Sequence, residues 1–142
     1  MFLSKSCEYA IRASVYVTHT SKEGRKAGIN EIAEAIGSPV PFTGKILQTL
    51  TRKNILSSAK GPNGGFYMDN TYKLTLIDIV RAVDGNEMFT ACVMGLKECS
   101  DREPCPLHHQ IGPIRAQLLL EFSRKSINEM VADYEKNRYF LK

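Results

Sequence analysis

The chain has 142 residues, 43% of them hydrophobic and 24% charged, with four cysteines and a formal net charge of +4. That length and balance describe one folded unit with a genuine core, and no apolar run approaches the roughly 20 residues that span a bilayer. The opening residues turn polar too quickly for a signal peptide, so a cytoplasmic chain is expected, in which clustered cysteines argue for metal or redox chemistry rather than a disulfide framework.

Charge is unevenly placed. Residues 1–60 carry nine Lys/Arg against four Asp/Glu, and residues 61–142 carry ten against eleven. A basic front half points to a polyanion partner for that half.

Residues 4–20 read as a helix, with Ile11, Val15 and Tyr16 at helical spacing and Tyr9, Ala13 and Val17 widening the apolar face. Cys7 and Glu8 stand near its start; Glu8 suits the helix dipole there, and Cys7 reads as a core thiol. A basic turn, Ser21 to Lys26, follows. Ile29, Ile32, Ala33 and Ile36 form the stripe of a second helix, with Gly28 at its cap and Gly37 as its stop. Ser38 is expected to cap a third helix, with Pro39 and Pro41 tolerated in the first turn. Phe42, Ile46, Leu47 and Leu50 make its buried stripe, and Thr43, Lys45, Gln48, Arg52 and Lys53 its outer face. Two helices joined by a tight turn, the second with a basic outer face, form the helix-turn-helix arrangement; a solvated helix of an ordinary helical domain shares the pattern. Gly44 is unusual inside a helix, and either close approach to DNA or tight packing accounts for it.

Ile55 to Met68 reads as strand, glycine-rich tip, strand, with Lys60 and Asn63 on the tip and Gly61, Gly64 and Gly65 freeing the backbone. A hairpin directly after a recognition helix is a wing whose tip reaches phosphates. A phosphate-cradling loop is excluded, since no Walker pattern and no following helix accompany the glycines. Asn70 to Tyr72 turn the chain. Thr75 and Asp78 start a helix carrying Leu76, Ile79, Val80 and Val83, and Gly85 ends it.

Three of the four cysteines then fall close together, Cys92, Cys99 and Cys105, with His108 and His109 just beyond. Thiolates are soft donors that select zinc, copper(I) or iron–sulfur centres. The gaps of six and five residues lack the short Cys knuckle common in zinc sites and leave loop enough for a larger object. Zinc held by three cysteines and a histidine, and inert buried thiols, are the other readings. Pro113 suits the first turn of a long helix lined by Ile114, Leu118, Leu119 and Phe122, and Ser126 with Glu129 is a capping box for the last helix, with Ile127, Met130, Val131 and Tyr134. The run Leu118 to Leu120 calls for burial on more than one side, best supplied by a two-fold partner helix.

The fold class is therefore mainly α with a small β-hairpin wing: a winged helix-turn-helix over 1–85, a cysteine loop over 86–112, and a dimerisation helix with a C-terminal helix over 113–142. No nucleophile motif marks an enzyme. A cluster-carrying electron-transfer protein is the rival class, against which the basic wing argues.

The combination of Glu31-Ile-Ala33, Ile46-Leu with Leu50, Gly61-Pro-Asn-Gly-Gly-Phe-Tyr67, Leu76-Ile-Asp-Ile-Val80 with Gly85, and the three-cysteine loop resembles the IscR/NsrR-type bacterial regulators (the Rrf-two family) over essentially the full length. The resemblance implies a homodimeric, winged-helix regulator of a double-stranded DNA operator, with no membrane and no small-molecule substrate. It also implies an iron–sulfur cluster, [2Fe–2S] or [4Fe–4S], that sets DNA affinity in response to cluster status, nitric oxide or redox state. Cys92, Cys99 and Cys105 match the cysteine ligands. His108 matches the fourth ligand of IscR-like members, and Glu8 of the partner subunit matches that of NsrR-like ones; His108 is preferred because it needs no reach across subunits. The DNA-binding candidates are Ser38, Thr43, Lys45, Gln48, Arg52, Lys60 and Asn63, with Thr43 and Gln48 for base edges and Lys45, Arg52 and Lys60 for the backbone. Lys60 stands where the family often has arginine, and the aromatic often found after the third cysteine is absent.

Overall fold

Ser4 starts the first helix, α1 (Lys5–Lys22): its hydroxyl accepts from the Cys7 N–H at 3.0 Å, while its own N–H donates to the Asp84 carboxylate at 2.8 Å. The computed structural model describes residues 2–69, 73–136 and 139–142; the turn expected at Asn70–Tyr72 lies outside them. α1 is buried along Cys7, Ala10, Ala13, Val15 and Val17, and also at Ser14, Thr18 and Thr20. Those hydroxyls bond back along the helix, Ser14 to the Ala10 carbonyl at 2.8 Å and Thr18 to the Ser14 carbonyl at 2.7 Å, so no buried polar group needs an outside partner. Ile11 and Tyr16 lie only at the margin of this face.

Around α1 pack α2 (Ile29–Ile36), α3 (Val40–Arg52), α4 (Leu76–Val83) and α7 (Ile127–Glu135). Gly37, at φ +68, ends α2 in the left-handed region, and the Ser38 N–H returns to the Ala33 carbonyl at 3.0 Å. Ser38 does not cap α3. The chain enters the helix one residue later, with Pro39 as the cap, and the buried Ser38 hydroxyl has no hydrogen-bond partner among the described residues. Glu31 in the first turn of α2 accepts from Tyr16 at 2.7 Å and Arg25 at 2.5 Å, pinning α2 to α1 and to the turn between them.

The wing is an antiparallel pair, β1 (Ser57–Ala59) and β2 (Gly65–Tyr67), in register Ser57 to Tyr67 and Ala59 to Gly65. The strands are shorter than the sequence suggests, because Ile55 and Leu56 turn inward to the core. A third edge was not foreseen. Ala27 exchanges both backbone hydrogen bonds with Phe66, at 3.0 and 2.8 Å, so the connector before α2 pairs with β2. This is why Gly65 is glycine: its φ is +135, and a Cβ there would meet the Ala27 carbonyl oxygen at 2.8 Å.

Asp78 accepts from the Thr75 N–H at 2.9 Å to start α4, and Glu129 accepts from the Ser126 N–H at 2.7 Å to start α7. The two starts are joined by backbone bonds of 2.9 Å, Leu76 to Lys125 and Ile127 to Leu74. A short α5 (Glu87–Thr90), unforeseen, precedes the cysteine loop. The long helix α6 begins at His108, not at Pro113, and runs to Arg124. Pro113 sits inside it on an exposed turn, where water can serve the carbonyl that loses its donor. The loop therefore ends at 107 rather than 112. No residue of α6 is buried; Leu118, Leu119 and Phe122 lean on a second cluster of Cys7, Ile77, Val80 and Phe89, while Ile114 is 64% and Leu120 42% exposed. No helix among the described residues is long and apolar enough to cross a membrane.

Glycine chemistry separates two positions. Gly65→Ala forces a strained backbone and should cost about 1–3 kcal/mol in urea unfolding. Gly44 has nothing within 4 Å of where a Cβ would stand, which removes tight packing as its reason, so Gly44→Ala should stabilise by about 0.5–1 kcal/mol.

Burial, with the charge of Asp84 next, pushes the Cys7 thiol from its ordinary 9.0 up to about 12. The folded thiol keeps its proton in a range where the unfolded one loses it, so stability from this group is full at neutral pH and falls as pH climbs across that range. Iodoacetamide at neutral pH should leave Cys7 unmodified until the chain unfolds, and Cys7→Ala should flatten the alkaline fall of the urea midpoint.

Candidate cluster site and nucleic-acid interface

Beyond the first turn of α3, where Val40 and Pro41 are exposed, the exposed residues are Lys45, Gln48 and Arg52, spaced at three and four along one face, with Lys53 just past its end. Thr43 is not among them. It is fully buried, and its hydroxyl donates to the Pro39 carbonyl at 2.9 Å, satisfying a first-turn group inside the molecule. Thr43 and Ser38 are thus withdrawn as surface contacts. Lys60 and Asn63 stand exposed on the wing tip. At the wing's base Lys26, which sequence reasoning passed over, lies 5.5 Å from the centre of the Tyr67 ring. No sequence signal marks it, since its placement follows from the bridge between Ala27 and Phe66.

The thiols gather on the opposite connection, between α5 and α6. Cys92 and Cys105 are buried, Cys99 is half-buried, and all are free thiols. The Cys92 carbonyl accepts from the Gly95 N–H at 2.9 Å, closing a turn with Gly95 at φ +72. That turn aims backbone N–H groups at the sulfur: donation from Leu96 first and Met94 next lowers the Cys92 pKa, against burial, with Cys105 and the Arg115 charge assisting. Cys99 Sγ lies 3.4 Å from His108 Nδ1, and His108 Nε2 lies 2.8 Å from the Asp101 carboxylate. His109 is exposed and packs edge-on to His108. Glu8 forms an ion pair with Lys5 at 3.2 Å in the first turn of α1.

Of the four donors expected at the site, Cys99 and His108 stand in contact, and Cys105 is close enough to Cys92 to help lower its pKa. Among the described residues no three His, Cys, Asp or Glu groups already surround one point. The donor chemistry nonetheless fits an iron–sulfur centre: soft thiols, backbone N–H groups on sulfur, and an imidazole whose far nitrogen is fixed by a carboxylate. Sequence reasoning missed Arg115, whose guanidinium bonds Cys99 Sγ at 2.9 Å and the Ala91 carbonyl. The sequence offered no signal for it, because the helix that sets Arg115 two turns after His108 was expected to start only at Pro113.

A family model, Rrf2, described as an iron-dependent transcriptional regulator, matches residues 3–133. A putative HTH-type transcriptional regulator of Aquifex aeolicus is 27% identical, covering 98% of this chain and 97% of its own length. The HTH-type transcriptional regulator IscR of Photorhabdus laumondii is 24% identical over 95% of this chain and 82% of its own. Among solved structures, T. potens IscR superposes with a TM-score of 0.75 at 16% identity, covering 96% of this chain and 90% of that one. CymR, the global cysteine regulator of B. subtilis, superposes with a TM-score of 0.74 at 15% identity, covering 92% and 95%. The structural likenesses establish the winged-helix fold. With the family match spanning nearly the whole chain, this protein belongs to the Rrf2 family of transcriptional regulators.

Proposed function

We propose that the protein is a homodimeric, cytoplasmic DNA-binding regulator whose operator affinity is set by an iron–sulfur cluster on Cys92, Cys99, Cys105 and His108. The observation that carries this reading is the contact of Cys99 Sγ with His108 Nδ1 at 3.4 Å, a thiol and an imidazole of the expected ligand set supplied by one loop and the helix start that follows it. When bound, the cluster supplies a redox-active centre whose integrity depends on cellular iron and oxidants. The residues do the rest. Nε2 of His108 is held by Asp101, which leaves Nδ1 as the coordinating atom and favours His108 over Glu8 of the partner subunit as the fourth ligand. Lys45, Arg52 and Lys60 meet phosphates and Asn63 supports the wing tip, while Gln48 has the amide that reads adenine in the major groove.

Contacts supply the route between the two ends. The loop feeds α6, α6 packs on α4, and α4 packs on both α1 and α3. Holding or releasing residues 91–107 thus bears on the seat of the recognition helix. The exposed Ile114 and Leu120 on α6, with Val93, Met94 and Leu96 on the loop, support a second copy of the chain on this side, where an isologous contact would join the two sites.

Protein purified without oxygen should be coloured and contain iron and sulfide. Cys99→Ala should lose the visible absorbance and alter operator affinity; binding identical in loaded, cluster-free and Cys99→Ala protein would remove the sensor. A colourless protein holding zinc would convert it to a zinc regulator, since zinc has no visible transition.

Lys60→Ala should weaken binding about equally on all sequences and reduce the salt slope by about one. Gln48→Ala should relax preference at one base position, by about 1–3 kcal/mol. Competition gel shifts across a salt series distinguish the two effects.

A further inference from the structure

Arg115 is not needed to complete the ligand set, yet it makes two of the loop's four side-chain hydrogen bonds with α6 among the described residues. His108 makes the other two, one to Cys99 and one to Asp101. One guanidinium nitrogen of Arg115 donates to the Ala91 carbonyl and the other to Cys99 Sγ at 2.9 Å. These acceptors bracket the Cys92–Gly95 turn, so a single planar fork spans the two edges of the first half of the loop. A guanidinium presents its donors in fixed separation, which an ammonium does not. The same cation stands close enough to Cys92 to favour its thiolate.

We propose that Arg115 is the positioning residue of the thiol site: it ties the loop to α6 before any metal is present, and it donates to the Cys99 sulfur once that sulfur is a ligand. The second half rests on the reading of the thiols as cluster ligands; the first does not. A cationic N–H donor on a ligand sulfur stabilises the more electron-rich, reduced state, so it raises the reduction potential. Groups outside the ligand set that orient metal ligands typically account for 10–100-fold in affinity.

The test uses full-length Arg115→Ala and Arg115→Lys, both good helix formers on a helix with no buried residue. Cluster-free protein is digested with a glutamate-specific endoproteinase, for which Glu98 is exposed in the loop, while Glu103 is protected by the following Pro104. Arg115→Ala should be cut there about tenfold faster, the effect of losing roughly one charge-assisted hydrogen bond. In anaerobically loaded protein the same substitution should lower the reduction potential and speed cluster loss to a chelator by about tenfold or more. Lysine keeps the charge but cannot reach both acceptors, so it should not restore the wild-type cleavage rate.

Cleavage of Arg115→Ala at the wild-type rate overturns the tether, and full rescue by lysine overturns the fork. An unmoved potential overturns the bond to ligand sulfur. If wild-type protein carries neither iron nor sulfide, the cluster reading fails on its own, and the digestion still decides the tether.

Discussion

The burial of the broad face of α1 against its neighbours is the constraint on which the rest of the molecule depends. A helix can touch five neighbours only if its surface is smooth and electrically quiet. Ala10 and Ala13 supply the smoothness, and the hydroxyls of Ser14, Thr18 and Thr20 supply the quiet by bonding to carbonyls of their own helix. On that post hang the reading helices α2 and α3, the wing through β2, the closing helix α7, and α4, which carries the thiol region. Ser4 and Asp84 fasten the start of the post to the end of α4, and Cys7 fills the seam between them as an inert, protonated thiol. The fourth cysteine is therefore part of the frame, while the other three belong to the loop proposed as the site.

Much of this was legible because it rests on local chemistry. The capping pairs Thr75–Asp78 and Ser126–Glu129, the left-handed Gly37 and the glycine-rich wing each declare themselves within a few residues, and the structure has them as expected. Two misreadings concern residues whose type suggested a role that their own helix had already settled. Thr43 looks outward by composition but spends its hydroxyl on Pro39. Pro113 looks like a helix start, yet the helix already exists when it arrives. Periodicity also favoured the large Ile11 and Tyr16 over the small residues that make the closest packing on α1. Long-range facts were out of reach. Nothing near Arg115 or Ala27 in the chain announces Cys99 or Phe66 as a partner.

The thiol region differs from the reading surface in how it is built. Lys45, Gln48 and Arg52 project from a helix whose other face is locked in the core. The loop over 91–107 has few buried side chains, chiefly Cys92 and Cys105 themselves. It is held by polar contacts to His108 and Arg115 at the exposed start of α6. A segment ordered by few polar contacts opens locally at lower free energy than one ordered by apolar burial. The two regions thus differ in how they are ordered, one by burial and one by polar contacts, and α4 packs between them.

The pairing of Ala27 with Phe66 has a consequence for how such a head meets a duplex. The hairpin is stitched to the strand-like connector that enters α2, so hairpin and helices form one calliper with a jaw width set when the chain folds. A grip of fixed span cannot adjust to groove dimensions; the duplex must supply them. Sequences whose grooves already have that width, or yield to it cheaply, would be preferred even at base pairs that no side chain touches.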